Sequence, residues 1–337
     1  MRILITGGAG FIGMHTAHHF AGHDIHIVDN LSRHGAKSNL EWLKGQTKFS
    51  FSQTDIRNHA GLAMEVAGFK PDAVIHLAAQ VAVTTSVLDP RTDFDINALG
   101  TFNVIEAVRQ HAPGAIVLYS STNKVYGGME DVGVELAGDR YRYSELTHGI
   151  PETYPLDFHS PYGCSKGAAD QYVRDYSRIY DMPSVVFRQS CIYGTHQYGI
   201  EDQGWIAWFT IASALGRPIT VYGDGKQVRD VLWVGDLVKG FSLAIDKIDQ
   251  VRGQVFNMGG GPERQLSLLE TFAELSRLSN RKIDFSFADW RPGDQKVFVA
   301  DTRKAQQVLG WQATVDTKEG LRRLFTWVQE NKQLFAV

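Results

Sequence analysis

Cysteine is scarce: Cys164 and Cys191 are the only two among 337 residues. A secreted scaffold stapled by disulfides is thereby excluded, and a reducing compartment is expected. Charge of one sign is not in excess either, since 34 Lys and Arg face 37 Asp and Glu for a formal charge of −3. That balance, without a basic stripe, argues against a nucleic-acid partner and against a membrane surface. No apolar run approaches the roughly 18 residues of a membrane span. The first residues, 1–6, are too short an apolar stretch for a signal peptide and run straight into glycines. A soluble cytoplasmic protein is the expectation. Hydrophobic residues make up 43% and charged ones 21%, which excludes global disorder. The length suits two domains, or one large domain with an appended lobe, and a core that needs no staples.

Short apolar runs at 2–5, 25–28, 49–52, 73–77, 115–120 and 184–187 read as buried parallel strands. Between them, 11–21, 58–68, 92–111 and 161–180 have helical spacing and length. This alternation predicts an α/β fold, a doubly wound parallel sheet of Rossmann type, whose ligands bind at the carboxyl ends of the strands. Residues 127–155 break the pattern, and a connection that long is expected to be functional or mobile, as a cover over a substrate would be. Further on, strands are expected near 219–222 and 231–234, and helices near 236–246 and 266–278. The expected division is a dinucleotide domain from 1–192 plus 229–258, and a smaller lobe from 193–228 plus 259–337.

Thr6-Gly7-Gly8-Ala9-Gly10-Phe11-Ile12-Gly13 follows the first strand and opens the first helix. Gly7 permits the tight turn, Gly10 lets the backbone approach a pyrophosphate, and Gly13 lets helix and sheet pack closely. Free N–H groups at the helix start then hold the phosphates. Glycine turns are common, but strand, turn and helix stand here in the required order. Asp29, some twenty residues on, is placed to accept hydrogen bonds from the adenosine ribose and to repel a 2′-phosphate, which favours NAD over NADP. Arg33 nearby works against that preference, and a plain turn cap at Asn30–Ser32 is the simpler role for Asp29. Asp55 and Ile56 are placed to flank the adenine, unless Asp55 only starts a turn.

Tyr162 and Lys166 lie four residues apart on a predicted helix, hence on one face. Such a pair is common by chance. Its weight comes from Tyr119-Ser120-Ser121-Thr122, which closes the fifth strand at the same sheet edge as the phosphate turn. A free phenol has a pKa near 10, and lowering it by about three units corresponds to ~4 kcal/mol. One cation at about 5 Å supplies roughly 3 kcal/mol at an effective dielectric of about 20. Lys166 and a positive nicotinamide together would therefore make Tyr162 a usable base. Thr122 would orient the substrate hydroxyl and pass on its proton.

These stretches, with His76-Leu77-Ala78-Ala79-Gln80, Ser121-Thr122-Asn123-Lys124-Val125-Tyr126-Gly127, Arg229-Asp230 and Arg291-Pro292-Gly293-Asp294, resemble the extended short-chain dehydrogenase/reductase family of nucleotide-sugar enzymes. The resemblance runs nearly end to end. Residues 156–172, 202–205 and 225–232 are most similar to the branch that inverts C2 of a CDP-hexose. It implies a bound NAD, catalytic Thr122, Tyr162 and Lys166, and a nucleotide-sugar substrate. For the cofactor it implies Gly7, Gly10, Phe11, Ile12, Gly13, Asp29, Asn30, Ser32, Arg33, Asp55, Ile56, Leu77, Ala78, Ala79, Gln80, Asn97, Ser120 and Gln189. On the substrate side it implies Arg229 and Arg291 for the diphosphate and Asp294 for the ribose. By their places after strands or just before Tyr162, Gln80, His159, Gln189, Ser190 and Cys191 are expected to line the nicotinamide or sugar pocket, with Asn123, Gln203 and Tyr222 beside them. It also implies a homodimer, or a higher homo-oligomer, through the helices at 92–111 and 161–180.

Inversion at C4 of a UDP-sugar would use the same catalytic groups, so it stays open. A 4,6-dehydratase is disfavoured, because relatives of that kind carry Asp-Glu where Asn123-Lys124 stand. A net reductase would prefer NADPH, against which Asp29 speaks, and a dinucleotide-sensing module without chemistry need not keep all three catalytic residues. No metal is expected: His15, His18, His19 and His23 are joined by no Cys or carboxylate in a ligand pattern and read as surface histidines. Cys164 and Cys191 read as small buried side chains, and Trp205, Trp208 and Phe209 as core or pocket wall.

Overall fold

The computed structural model describes residues 1–291 and 294–335. Pro292 and Gly293, within one of the sequence motifs, therefore lie outside the described residues.

The chain starts β1 (Arg2–Thr6), α1 (Phe11–His19), β2 (Asp24–Val28), α2 (Ala36–Lys44), β3 (Ser50–Ser52), α3 (His59–Phe69) and β4 (Ala73–His76). Two short helices, α4 (Val83–Leu88) and α5 (Pro90–Phe94), lead through a π turn (Asp95–Leu99) into α6 (Gly100–His111) and then β5 (Ile116–Thr122). The single helix expected over 92–111 is thus interrupted. A hairpin follows, β6 (Val134–Ala137) and β7 (Arg140–Tyr143), before α7 (Ser160–Ile179), β8 (Ser184–Gln189) and β9 (Cys191–Tyr193). The rest is α8 (Trp205–Leu215), β10 (Thr220–Tyr222), β11 (Val228–Trp233), α9 (Val234–Asp246), α10 (Ile248–Val251), β12 (Gln254–Met258), β13 (Gln265–Ser267), α11 (Leu268–Ser279), β14 (Ser286–Ala288), β15 (Val297–Phe298) and α12 (Thr317–Glu330).

Seven strands form one parallel sheet in the order β12-β8-β5-β4-β1-β2-β3. Both of its faces are covered, and alternate residues of β1 show this. Ile3 and Ile5 belong to an apolar cluster with Ala17, Phe241 and Trp311, while Leu4 packs with Leu62, Val104 and Val108. The order reverses between β1 and β4, which makes the crevice beyond their carboxyl ends the natural ligand site. His76 clamps this point. Its ring bridges Thr6 Oγ1 at 2.6 Å and Thr101 Oγ1 at 2.9 Å, and burial, with the nearby Lys166, pushes its pKa down to about 3, so the imidazole is neutral.

A second layer holds β9, β11, β13 and β15. Its apolar cluster joins Ile206, Phe209, Ile211, Phe272, Leu275, Leu324 and Val328 from α8, α11 and α12. The hairpin at 134–143 docks there: Tyr141 and Tyr143 pack on Val228, Val297 and Val299, and the Tyr141 amide donates to the Lys226 carbonyl at 3.0 Å. None of residues 127–155 lines the large cleft, so that stretch does not form the cover expected from its length. Its tyrosines found apolar partners on the second layer instead.

Candidate active site

The large cleft, about 550 Å3, opens at the carboxyl ends of β1, β2, β4 and β5 and continues to the second layer. At its floor lies the glycine turn. Gly7 has φ +71°, and a Cβ there would sit 2.6 Å from the Ala78 amide nitrogen. A Cβ on Gly13 would come within 2.2 Å of the Gly7 carbonyl oxygen. Both contacts are with backbone, so only glycine fits. The Gly10 start of α1 has no side-chain cap, which leaves its first N–H groups free for a ligand.

Asp29 serves the turn on two sides. Its carboxylate accepts from the Ala9 amide at 3.0 Å and from the Leu31 amide at 2.7 Å. Burial raises its pKa, and these N–H donors act against that rise. With two bonds made, a carboxylate retains acceptor positions toward the cleft. Asp55 accepts from Asn30 Nδ2 at 2.8 Å and pairs with Arg57, which holds its pKa down to about 2. Phe11, Ile12, Asn30, Ser32, Arg33, Asp55, Ile56, Leu77, Ala78 and Ala79 all line the cleft.

Gln80 and Asn97 do not. The Gln80 amide donates to Asn97 Oδ1 at 3.0 Å, and Asn97 Nδ2 returns bonds to the Gln80 carbonyl at 2.9 Å and to Asp93 Oδ1 at 3.0 Å. Gln80 Nε2 is held by the Ala82 carbonyl and Asp93. Asn97, 1% exposed, sits in the π turn, where it braces the loop carrying Leu77–Ala79 from behind. Their expected contacts with ligand are thus replaced by support of residues that face it.

The catalytic candidates meet where β5 ends. The carboxyl end of β5 presents Ser120, Ser121 and Thr122, and α7 presents Tyr162 and Lys166. Pro161 opens α7 in its first turn, where a missing N–H costs nothing. The Tyr162 amide donates to Ser86 Oγ at 3.1 Å. Thr122 faces the phenol and favours its ionisation, but burial dominates and pushes the Tyr162 pKa up to about 12. Lys166 donates to the Ser120 carbonyl and lies 4.4 Å from the centre of the Tyr119 ring. Burial brings its pKa down to about 7, opposed by Asp170 and Asp93. Asp93, fully buried behind the pair, was not singled out from the sequence, which offers no signal for a carboxylate inside a helix. Ser121 is structural: it donates to Asp170 Oδ2 at 2.8 Å, within the buried Arg188–Asp170 pair.

Across the cleft, Arg229 donates to Asp294 Oδ1 at 2.6 Å, and Arg291 lies 3.2 Å from Asp202 and 3.9 Å over the Tyr222 ring. Asn123, Gln189, Ser190, Cys191 and Gln203 also line it. Among the described residues, Gln189 Nε2 is buried without a partner. Cofactor-side Arg33 touches substrate-side Gln203 directly. His159 is not in this lining: it is half-exposed outside and pairs with Asp157 at 2.9 Å. Two readings need correction. Cys164 is exposed, on the outer face of α7. His15 is no surface histidine, since its Nε2 meets the Thr195 carbonyl at 2.9 Å and burial lowers its pKa. The cleft also takes in His196, Gln197 and Tyr198. Their loop carries no motif, and Tyr198 reaches the cleft by packing against Gly35 at φ +83°. Among the described residues, no cluster of His, Cys, Asp and Glu suits a metal, and no helix is long and apolar enough to cross a membrane.

The chain is 44% identical over 335 residues to the CDP-paratose 2-epimerase of Salmonella typhi, covering 97% of this chain and 99% of that one. Among solved structures, UDP-glucose 4-epimerase from Thermotoga maritima with UDP-glucose superposes with a TM-score of 0.84 at 29% identity, covering 98% of this chain and all of that one. UDP-glucose 4-epimerase from Thermus thermophilus, in complex with NAD, gives 0.83 at 30% identity over 98% of this chain and 100% of its own. The model of the GDP-mannose 4,6 dehydratase family matches residues 4–324, and the chain belongs to that family, a member of the extended short-chain dehydrogenases/reductases with a Rossmann-type sheet.

Proposed function

We propose that this protein is an NAD-dependent epimerase that inverts C2 of a CDP-hexose of the paratose/tyvelose type. The observation that carries the reading is the convergence of Thr122, Tyr162 and Lys166 on the cleft that also holds the glycine turn. The 44% identity to a protein named CDP-paratose 2-epimerase supports the choice of nucleotide and carbon.

The residues fit a dinucleotide. Gly7 and Gly13 leave no room for side chains beside the turn, the uncapped start of α1 would hold a pyrophosphate, and the orphaned Gln189 Nε2 would offer a donor to a carboxamide. Asp29 would take the adenosine ribose and Asp55 with Ile56 the adenine edge. NAD, when bound, accepts a hydride from a carbinol carbon and can return it to the opposite face of the resulting ketone. Tyr162 takes the proton of that carbinol and gives it back. Thr122 holds the hydroxyl toward the phenol, and Lys166 favours the phenolate by charge. Arg229 and Arg291 anchor the diphosphate with planar donor forks, and Asp294 the ribose, so the nucleotide stays fixed while the sugar turns over.

Residues 1–192 with 229–258 would hold the dinucleotide, and 193–228 with 259–337 the nucleotide sugar. The exposed apolar face formed by Phe94, Leu99, Phe102, Tyr172, Ile179 and Tyr180 on α5–α7 supports a homodimer. The exposed free thiol of Cys164 suits a reducing cytoplasm. Incubation with CDP-paratose and UDP-glucose, followed by NMR of the sugar, tests the function. Inversion at C2 of the CDP-sugar is expected, lost in Tyr162→Phe with dinucleotide binding retained. Inversion confined to C4 of the UDP-sugar would refute it.

A further inference from the structure

Two arginines on the substrate side of the cleft are neutralised by the protein itself: Arg229 is paired with Asp294 at 2.6 Å and Arg291 with Asp202 at 3.2 Å. Arg33, held by the neutral Gln203, keeps its charge but stands on the cofactor side. Lys166 is bound under the Ser120 carbonyl and the Tyr119 ring. A nucleoside diphosphate brings at least two negative charges, and two zwitterionic pairs supply no net charge to meet them. Lys124 is different. It stands two residues after Thr122 in a short turn (Asn123–Tyr126) that begins where β5 ends, and it lines the same cleft. Its backbone is fixed, the amide donating to Thr122 Oγ1 at 3.2 Å. Among the described residues its ammonium makes no ion pair and no hydrogen bond.

We infer that Lys124 binds the sugar-proximal phosphate of the nucleotide-sugar substrate and supplies the uncompensated positive charge that Arg229 and Arg291 lack. This rests on the proposed nucleotide-sugar reading and deepens it. The groups that face Lys124 are Arg229 on β11, Asp294, and Cys191 on β9. Lys124 thus shares the cleft lining with the catalytic Thr122 and with the Arg229–Asp294 pair, the residues assigned to the two ends of the sugar phosphate. Burial, helped by Arg229 and opposed by Asp294 and Cys191, holds the ammonium down to about 8. A bound phosphate favours the charged form, so the contribution is full below pH 8 and fades above it.

The test is calorimetric titration of the NAD-loaded protein with CDP, UDP and cytidine, using wild type, Lys124→Met and Lys124→Arg. A charge-assisted contact of this kind predicts a loss of about ten- to hundredfold in CDP affinity for the methionine variant, with cytidine unaffected. The arginine variant should restore affinity. Between pH 7 and 9 wild type should weaken while the arginine variant stays flat, because a guanidinium does not titrate there. Unchanged CDP affinity in Lys124→Met, an equal loss for cytidine, or identical pH profiles for wild type and Lys124→Arg would each overturn the inference. Failure of the functional reading looks different: UDP would bind better than CDP, with the dependence on Lys124 intact. If Lys124→Met does not fold, the pH comparison decides alone.

Discussion

Removing the ammonium of Lys166 tests the catalytic pair most directly. Burial holds the Tyr162 phenol up at about 12 and Lys166 down at about 7. Bringing the phenolate to neutral pH means closing about five units, which is ~7 kcal/mol. A cation at about 5 Å supplies roughly 3 kcal/mol at an effective dielectric of about 20. Brought to that distance from the phenol, two such groups, Lys166 and the pyridinium of a bound dinucleotide, would close most of the gap, and neither would do so alone. The sign follows: ionisation of the phenol raises the Lys166 pKa, so the two titrate as a coupled pair with activity present above its apparent pKa. Lys166→Met should shift that acid limb upward by about two units. At pH 7 turnover would then fall about 100-fold, recovering about tenfold per unit of pH. The assay is the NMR-followed epimerisation rate across about pH 6–10, at saturating NAD so that weaker cofactor binding does not enter. An acid limb at the same pH in both proteins, with activity lowered uniformly, would refute the electrostatic account.

Three further outcomes are expected. Gly13→Ala drives a Cβ to 2.2 Å from the Gly7 oxygen; the turn must shift, and dinucleotide affinity measured by fluorescence titration should fall at least tenfold. The Arg188–Asp170 pair is bidentate at 2.9 and 3.0 Å and essentially unexposed, so Asp170→Ala strands a buried guanidinium. Urea denaturation should register a loss of about 3–5 kcal/mol. Phe102→Glu, placed on the apolar face where Phe102 meets Tyr172 at 5.7 Å, should turn the proposed dimer into a monomer in sedimentation, and an unchanged sedimentation coefficient would remove that face as the interface.

Much of the large sheet was legible because parallel strands covered on both faces leave near-continuous apolar runs, as in Ile3–Ile5 and 73–77. The phosphate turn was legible because Gly10 and Gly13 are dictated by backbone within the turn itself and Gly7 by its positive φ; the contact of Gly7 with the Ala78 backbone is the long-range part. The helix α2 was not, since its buried face amounts to Ala36, Asn39, Leu40 and Leu43 in a polar stretch. Nor was α8, whose residues are apolar nearly all round and so lack a helical stripe. The π turn inside 92–111 was hidden as well, because Asn97 requires it only through bonds to Gln80 and Asp93.

Short-range chemistry was therefore set by the sequence alone: where backbone must pass backbone, which phenol shares a helix face with which ammonium, and which strand ends carry hydroxyls. Tertiary structure decided everything that depends on a second segment arriving. It turned Gln80 and Asn97 inward and left His159 outside the cleft. It paired Arg229 with Asp294, separated by 65 positions in the chain, and left Lys124, among the described residues, without an ion pair of its own. Ion pairing and desolvation act through space over a few ångströms, and spacing along a chain holds no record of them.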